Sequence, residues 1–352
     1  MHMSNPEHHP RSAAREVWQG RLGIRRPRRP VFAGLYGVVV LALVALAVVD
    51  ASSHAGGGSA RTNLTLMAPA APGGGWDLAA RESQQALRSS GAVNNVQVVN
   101  VPGAAGTIGL SQTVGRKGDE SLLMVTGTVM LGGINVTGSE HTMDDVTPIA
   151  RLADDYLVVV VPADSPFETL DDLLETWAAN PSGTAIGGGS LGGTDHLLAG
   201  LLMREAGIDP GRLNYLAYAG GGEVTTALLS HTVDAGISGY NDFSDQIETG
   251  RFRALGLSAE QPIDGIEVPT FVEQGVDLAL PNWRGVVAAP GLTEEEIAEL
   301  RAIVTEMAQS EEWADAVTRN RWKDTFMVGE EFEEFLAAET ARIDEIVEEL
   351  GL

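Results

Sequence analysis

The chain has 352 residues, 44% of them apolar, and 42 glycines, enough to bury a two-domain core with many tight loops and too apolar for global disorder. It has no cysteine, which excludes disulfides, thiolate nucleophiles, cysteine metal sites and thiol-linked lipids. Seven Arg and three acids (Glu7, Glu16, Asp50) fall in residues 1–50, so the remaining body holds 16 basic against 45 acidic residues. That net charge of −29 repels nucleic acid and anionic lipid, and neither is an expected partner.

Residues 1–30 are a basic tail, read as cytoplasmic, that ends in the run Arg25 to Arg29. Val31 to Val49 then carries no charge over nineteen residues. That is long enough for a helix to span a bilayer, and the positive-inside rule places the body beyond it outside the cytoplasm. Residues 31–50 are therefore a transmembrane anchor, or a signal segment cut near Ser53-His54-Ala55. The body is extracytoplasmic either way. Residues 51–60, rich in Gly and Ser, form a linker.

After the linker comes a repeating unit, made of a short β-branched run, a glycine-rich turn and an amphipathic stretch. The pattern predicts strands over Leu64–Ala68, Val96–Val101, Leu122–Thr126 and Tyr156–Val161, with helices over Trp76–Arg88 and Thr107–Val114. The second series has helices over Leu170–Ala179, Thr194–Ala206 and Glu223–Ser230. Its strands cover Thr184–Ile186, Leu213–Tyr218, Val233–Ile237 and Ala254–Leu257. Strands alternating with helices imply parallel sheets, and ligands in such sheets sit at the carboxyl ends of the strands. The chain ends in acidic amphipathic helices: Thr293 and Glu296 have capping-box spacing, and Phe332, Leu336, Ile343, Ile346 and Leu350 share a face that braces the first domain.

Four glycine-rich loops lead into helices: Pro72 to Asp77, Pro102 to Gly106, Gly187 to Gly193, and Gly220 to Gly222. A helix start offers free N–H groups and partial positive charge, so it holds carboxylates or phosphates, and glycine lets the anion come close. A body with only two lysines, Lys117 and Lys323, can thus bind an anion through backbone dipoles. Trp76 covers the cleft or packs on its own helix, and Asp77 reads first as a cap.

The loop from Gly187 also fits two enzyme patterns. Gly187-x-Gly189-x-x-Gly192 has dinucleotide spacing, but the next strand ends Leu216-Ala217-Tyr218-Ala219 without the acid that ribose needs. Gly188-x-Ser190-x-Gly192 matches a nucleophile elbow, but His196 and His231, the histidines after Ser190, lie in or at the end of nearby helices. A serine hydrolase using Ser190 is a weaker alternative, and neither catalytic residue nor cofactor is expected. The pairs Asp144-Asp145, Asp154-Asp155 and Asp171-Asp172 lack calcium-loop spacing and read as helix-start charge, so no metal is expected.

In order and spacing these motifs resemble the tripartite tricarboxylate transporter receptor family, the Bug-type extracytoplasmic solute-binding proteins, over about Leu64 to Leu350. The resemblance rests on Pro72-Gly73-Gly74-Gly75-Trp76-Asp77 with Ala80-Arg81, on Asn100-x-Pro102-Gly103-Ala104-x-Gly106, and on Gly189-Ser190-x-Gly192-x-x-x-His196. It continues through Tyr218-x-Gly220-Gly221-Gly222-Glu223, Gly250 to Leu255, Pro269-Thr270-Phe271 and Asn282-Trp283-Arg284-Gly285.

The resemblance implies a two-domain periplasmic-binding-protein-like α/β fold with parallel-rich sheets and a C-terminal helical brace, closing like a flytrap. Domain 1 would be residues 61–160 with 285–352, and domain 2 residues 161–284. Ligand contact carries onto Gly73, Gly74, Trp76, Ser190, Gly193 and Thr194, with Gly75, Asp77, Thr126, Gly192, His196, Tyr218 and Gly220 as further candidates. The ligand would be a small citrate-like carboxylate, the partners two integral membrane transporter subunits, and the receptor a monomer. A sensor subunit serving a signalling partner is the alternative from another class.

Overall fold

The structure, a computed structural model, describes residues 60–352. The basic tail, the Val31–Val49 segment and all but the last residue of the linker lie outside the described residues. Among the described residues no helix is long and apolar enough to cross a membrane.

Strands β1 (Asn63–Ala68), β2 (Asn95–Asn100) and β3 (Leu122–Gly127) are parallel in the order β2-β1-β3. They are joined by helices α1 (Gly75–Ser89) and α2 (Thr107–Val114), as the alternation of apolar runs and glycine turns predicts. Helix α1 buries Trp76, Ala79, Ala80, Ser83, Ala86 and Leu87, the three- and four-residue spacing of one helical face. Helix α3 (Thr128–Thr137), absent from the expectation, follows β3 directly; two glycines and five β-branched residues blur its periodicity.

The strand expected at Tyr156–Val161 is the second half of β4 (Thr147–Pro162), sixteen residues long. At about 3.3 Å per residue such a strand runs roughly 50 Å, far enough to serve two lobes. Its first half pairs with β9 (Pro281–Ala288) and β10 (Lys323–Val328), and its second half with β7 (Ala235–Gly239) and β8 (Phe252–Leu257). In the second lobe β5 (Ala185–Gly188) lies parallel to both β7 and β6 (Asn214–Ala217). The outer strands of each lobe are thus parallel, whereas β4, β8, β9 and β10 enter antiparallel.

Asp154 and Asp155 lie inside β4, which corrects their reading as helix-start charge. Asp154 is held by the Arg151 guanidinium and Asp155 by that of Arg284, so each buried carboxylate has a cation. Asp145 and Asp172 do complete capping boxes, with Thr142 and with Thr169, which opens helix α4 (Leu170–Ala179).

At the C-terminal end, α8 (Glu294–Ala308) opens with the Thr293–Glu296 capping box and is followed by α9 (Glu311–Arg319). The last helix, α10 (Glu330–Leu350), packs on α3 and also on α5 (Thr194–Glu205) of the second lobe. Arg204 pairs with Glu349, and a side chain at Gly200 would run into Leu350. The brace therefore spans both lobes, because its apolar face continues past the edge of the first.

Candidate ligand cleft

The loops after β1, β2, β5, β6 and β7 all open onto one cavity of about 400 Å³. The four glycine loops of the sequence thus converge at the carboxyl ends of parallel strands, where such sheets place ligands. Helices α1, α5, α6 (Gly221–Leu229) and α7 (Tyr240–Glu248) begin at its wall. Gly75 and Trp76 at the start of α1, and Thr194 and Asp195 at the start of α5, have first-turn N–H groups with no acceptor inside their helix.

Of the candidates drawn from the sequence, Gly74, Gly75, Trp76, Ser190, Gly193, Thr194 and Gly220 line the cavity. The Trp76 ring, 4% exposed, sits against the Pro102–Gly106 loop, where a side chain at Gly106 would meet it at 2.7 Å. It both lines the cleft and packs, and its Nε1 is buried with no hydrogen-bond partner. Ser190 presents its hydroxyl without a partner among the described residues, whereas the Thr194 hydroxyl is 3.2 Å from Oδ1 of Asn282.

The other six lie outside the lining. Asp77 caps its own loop, accepting from the Gly73 N–H at 2.8 Å, from Arg81 at 2.9 Å and from Asn100 at 2.9 Å. Those contacts outweigh the burial that pushes its pKa up, and it titrates below the usual carboxylate range. Thr126 points into the first-lobe core, toward the Met143 sulfur. Gly192 donates to Nδ1 of His196 at 3.1 Å, and the Tyr218 ring packs over Gly187. Burial lowers the His196 pKa to about 4, and its ring lies 4.4 Å from that of Tyr215. His196 is a neutral structural histidine whose Nδ1 is engaged, so Ser190 gains no base from it.

Five polar residues of the wall went unassigned in the sequence: Asn282, Arg284, Asp195, Asp242 and Ser238. Along β9 the two-residue period turns Asn282 and Arg284 to the cavity, while Trp283 packs edge-on to Phe332 and Phe335 of α10. Arg284 is 6% exposed and donates through Nη2 to Asp155 at 3.0 Å. Its signal in the sequence was one arginine in the run Pro281 to Ala288, where Asn282 is the other polar residue.

Asp195 accepts the Gly189 N–H at 2.7 Å, and Asp242 accepts from the Ser238 hydroxyl at 2.6 Å. Burial, with repulsion from Asp155 and, for Asp195, from Asp242, pushes Asp195 up to about 7 and Asp242 up to about 6. Among the described residues no group of side chains is arranged to hold a metal ion.

Two lobes threaded by one long strand, with helix starts gathered around the cleft between them, define a periplasmic-binding-protein-like solute receptor. The sequence profile of the tripartite tricarboxylate transporter family receptor matches residues 79–352. The chain belongs to that family, which is one of receptors and not of enzymes.

Among curated proteins, the UPF0065 protein of the tcbD-tcbE intergenic region of Pseudomonas sp. strain P51 is 27% identical over 323 residues, 89% of this chain and 94% of that one. A solute-binding protein of the same family from Polaromonas is similar in structure, with a TM-score of 0.62, 26% identity, and coverage of 82% of this chain and 98% of the other. An adipate-bound protein of R. palustris shares the fold with a TM-score of 0.75 at 20% identity, covering 82% and 97% of the two chains. So does the malate-bound MatC of Rhodopseudomonas palustris, with a TM-score of 0.72 at 19% identity over 81% and 99%.

Proposed function

We propose that this chain is the extracytoplasmic receptor of a tripartite transporter, taking a small carboxylate into the cleft and delivering it to two integral membrane subunits. The observation that carries this reading is the convergence of unpaired first-turn N–H groups, from Gly75 and Trp76 on one lobe and Thr194 and Asp195 on the other, on one cavity of about 400 Å³. Such donors hold an anion without any lysine. The malate and adipate in two proteins of the same fold fit a carboxylate at this place. A citrate-like acid is the ligand that the family resemblance implies.

In this reading residues 61–160 with 285–352 and residues 161–284 are the two moving domains, the receptor is a monomer, and β4 is the principal strand between them. The body stands outside the cytoplasm, held by Val31–Val49 or released after cleavage. Thermal-shift screening of carboxylates, with matched amides as controls, tests the reading. Stabilisation by carboxylates alone supports it, and indifference to every carboxylate contradicts it.

A further inference from the structure

The cleft is not uniformly an anion site. Asp195 and Asp242 stand in its wall, and Asp155 lies behind, paired with Arg284. A side-chain carbon at Gly239 would lie 2.9 Å from Oδ2 of Asp155 and 3.7 Å from Oδ2 of Asp242, so two carboxyls border one point of the wall. Three carboxyl groups thus share a single guanidinium. Asp195 and Asp242 each commit one oxygen to the protein, to the Gly189 N–H and the Ser238 hydroxyl. The second oxygen of each has no hydrogen-bond partner among the described residues.

A second observation is independent of these acids. The Nε1 of Trp76 and the Nε of Arg284 belong to cavity-lining side chains that are more than nine-tenths buried, and both are unpartnered. Buried donors left without acceptors are costly unless a bound group approaches them. The side chains of the wall therefore combine unfilled buried donors with unfilled acid acceptors.

We infer that the ligand is amphoteric: its carboxylate meets the glycine-loop helix starts, and a protonated nitrogen sits against Asp195 and Asp242. This rests on the carboxylate reading above and narrows it. A dicarboxylate or tricarboxylate would push its second anion against two acids that have no cation of their own. An ammonium instead donates to their free oxygens and supplies the missing positive charge.

Three matched pairs of probes test this on the full-length chain by titration calorimetry: L-glutamate with glutarate, L-aspartate with succinate, and 4-aminobutyrate with butyrate. Each pair differs in one ammonium group. At least one amphoteric member should bind tenfold or more tighter than its partner and tighter than citrate. The preference should vanish in Asp195→Asn/Asp242→Asn, with affinity for the simple acid kept or improved. Asp242→Asn alone, which keeps an acceptor for Ser238, serves if the double variant does not fold.

Tighter binding of the dicarboxylates or citrate overturns the inference and leaves the carboxylate reading standing. A preference that survives in the Asn variant overturns it as well. Binding of n-butylamine but of none of the acids overturns both.

Discussion

Nη2 of Arg284 donates to Oδ2 of Asp155 at 3.0 Å, with both side chains more than nine-tenths buried. The pair joins β9 to β4 at the level of the cleft, where the long strand leaves the first lobe for the second. Two ions taken out of water this way gain little net stability together, but removing one strands the other. Arg284→Ala should therefore cost about 3–5 kcal/mol of folding stability by urea titration. Adding Asp155→Ala should recover part of that loss. A loss of under about 1 kcal/mol, the size of an exposed pair, would show that the partners are not coupled.

Gly75 and Gly74 separate packing from binding. A side chain at Gly75 would run into Nη2 of Arg284 and lie 3.0 Å from Cζ, so Gly75→Ala should displace the guanidinium and lower stability. At Gly74 a side chain would meet only the Ala71 carbonyl, at 3.7 Å, and φ there is −84°. Gly74→Ala should hold the wild-type thermal midpoint while weakening ligand binding. A lowered midpoint for the Gly74 variant would place that loop in the core and not at the cleft.

The two raised carboxyls make stability fall as pH rises. In the unfolded chain Asp195 and Asp242 ionise near pH 4, but in the folded protein they stay protonated until about 7 and about 6. Between those limits the folded state holds more protons, so ligand-free stability declines from about pH 4 to about pH 7. His196, lowered from 6.5 to about 4, acts oppositely: its contribution is lost as pH falls through that window. Asp195→Asn/Asp242→Asn should therefore shift the slope of unfolding free energy against pH toward the rising, histidine-driven one. An unchanged slope between pH 5 and 8 would mean that both acids are ionised in the fold.

The lobes already touch near the cleft, where a side chain at Gly132 of α3 would overlap the carbonyl oxygen of Gly192. Gly132→Val should hold the lobes apart, giving a larger radius of gyration by small-angle scattering and weaker binding. A variant as compact as wild type at saturating ligand would show that closure does not pass through this contact.

The glycine loops were legible in the sequence because each is local, a turn between a strand and a helix, and the parallel sheets bring them together without further instruction. The first half of β4 was not. Thr147 to Asp155 mixes Pro148, Arg151, Asp154 and Asp155 into a buried strand, and its charges are tolerable only beside Arg284, Thr325 and each other. No window of sequence brings Arg284 or Thr325 to them. The same non-locality hid the acid wall, since Asp195 and Asp242 belong to no motif of the sequence and line one cavity only in the fold. Asp77, read as a cap, lies in the first turn of α1 behind the N-cap Gly74, where it accepts from the Gly73 N–H and from Arg81.

Backbone donors at the α1 and α5 starts, aided by the Ser190 hydroxyl, are the groups proposed to hold the ligand carboxylate. Calorimetric titration of one binding carboxylate into four variants tests this most directly. A hydrogen bond to a charged group contributes about 1.5–3 kcal/mol, so Ser190→Ala should weaken binding by roughly tenfold or more. Gly74→Val, which crowds the backbone donors, should weaken it further. Lys117→Ala and Lys323→Ala, at residues outside the cavity wall, should leave affinity unchanged. Loss of binding in the lysine variants, with Ser190→Ala and Gly74→Val binding as wild type, would contradict the backbone-donor mechanism.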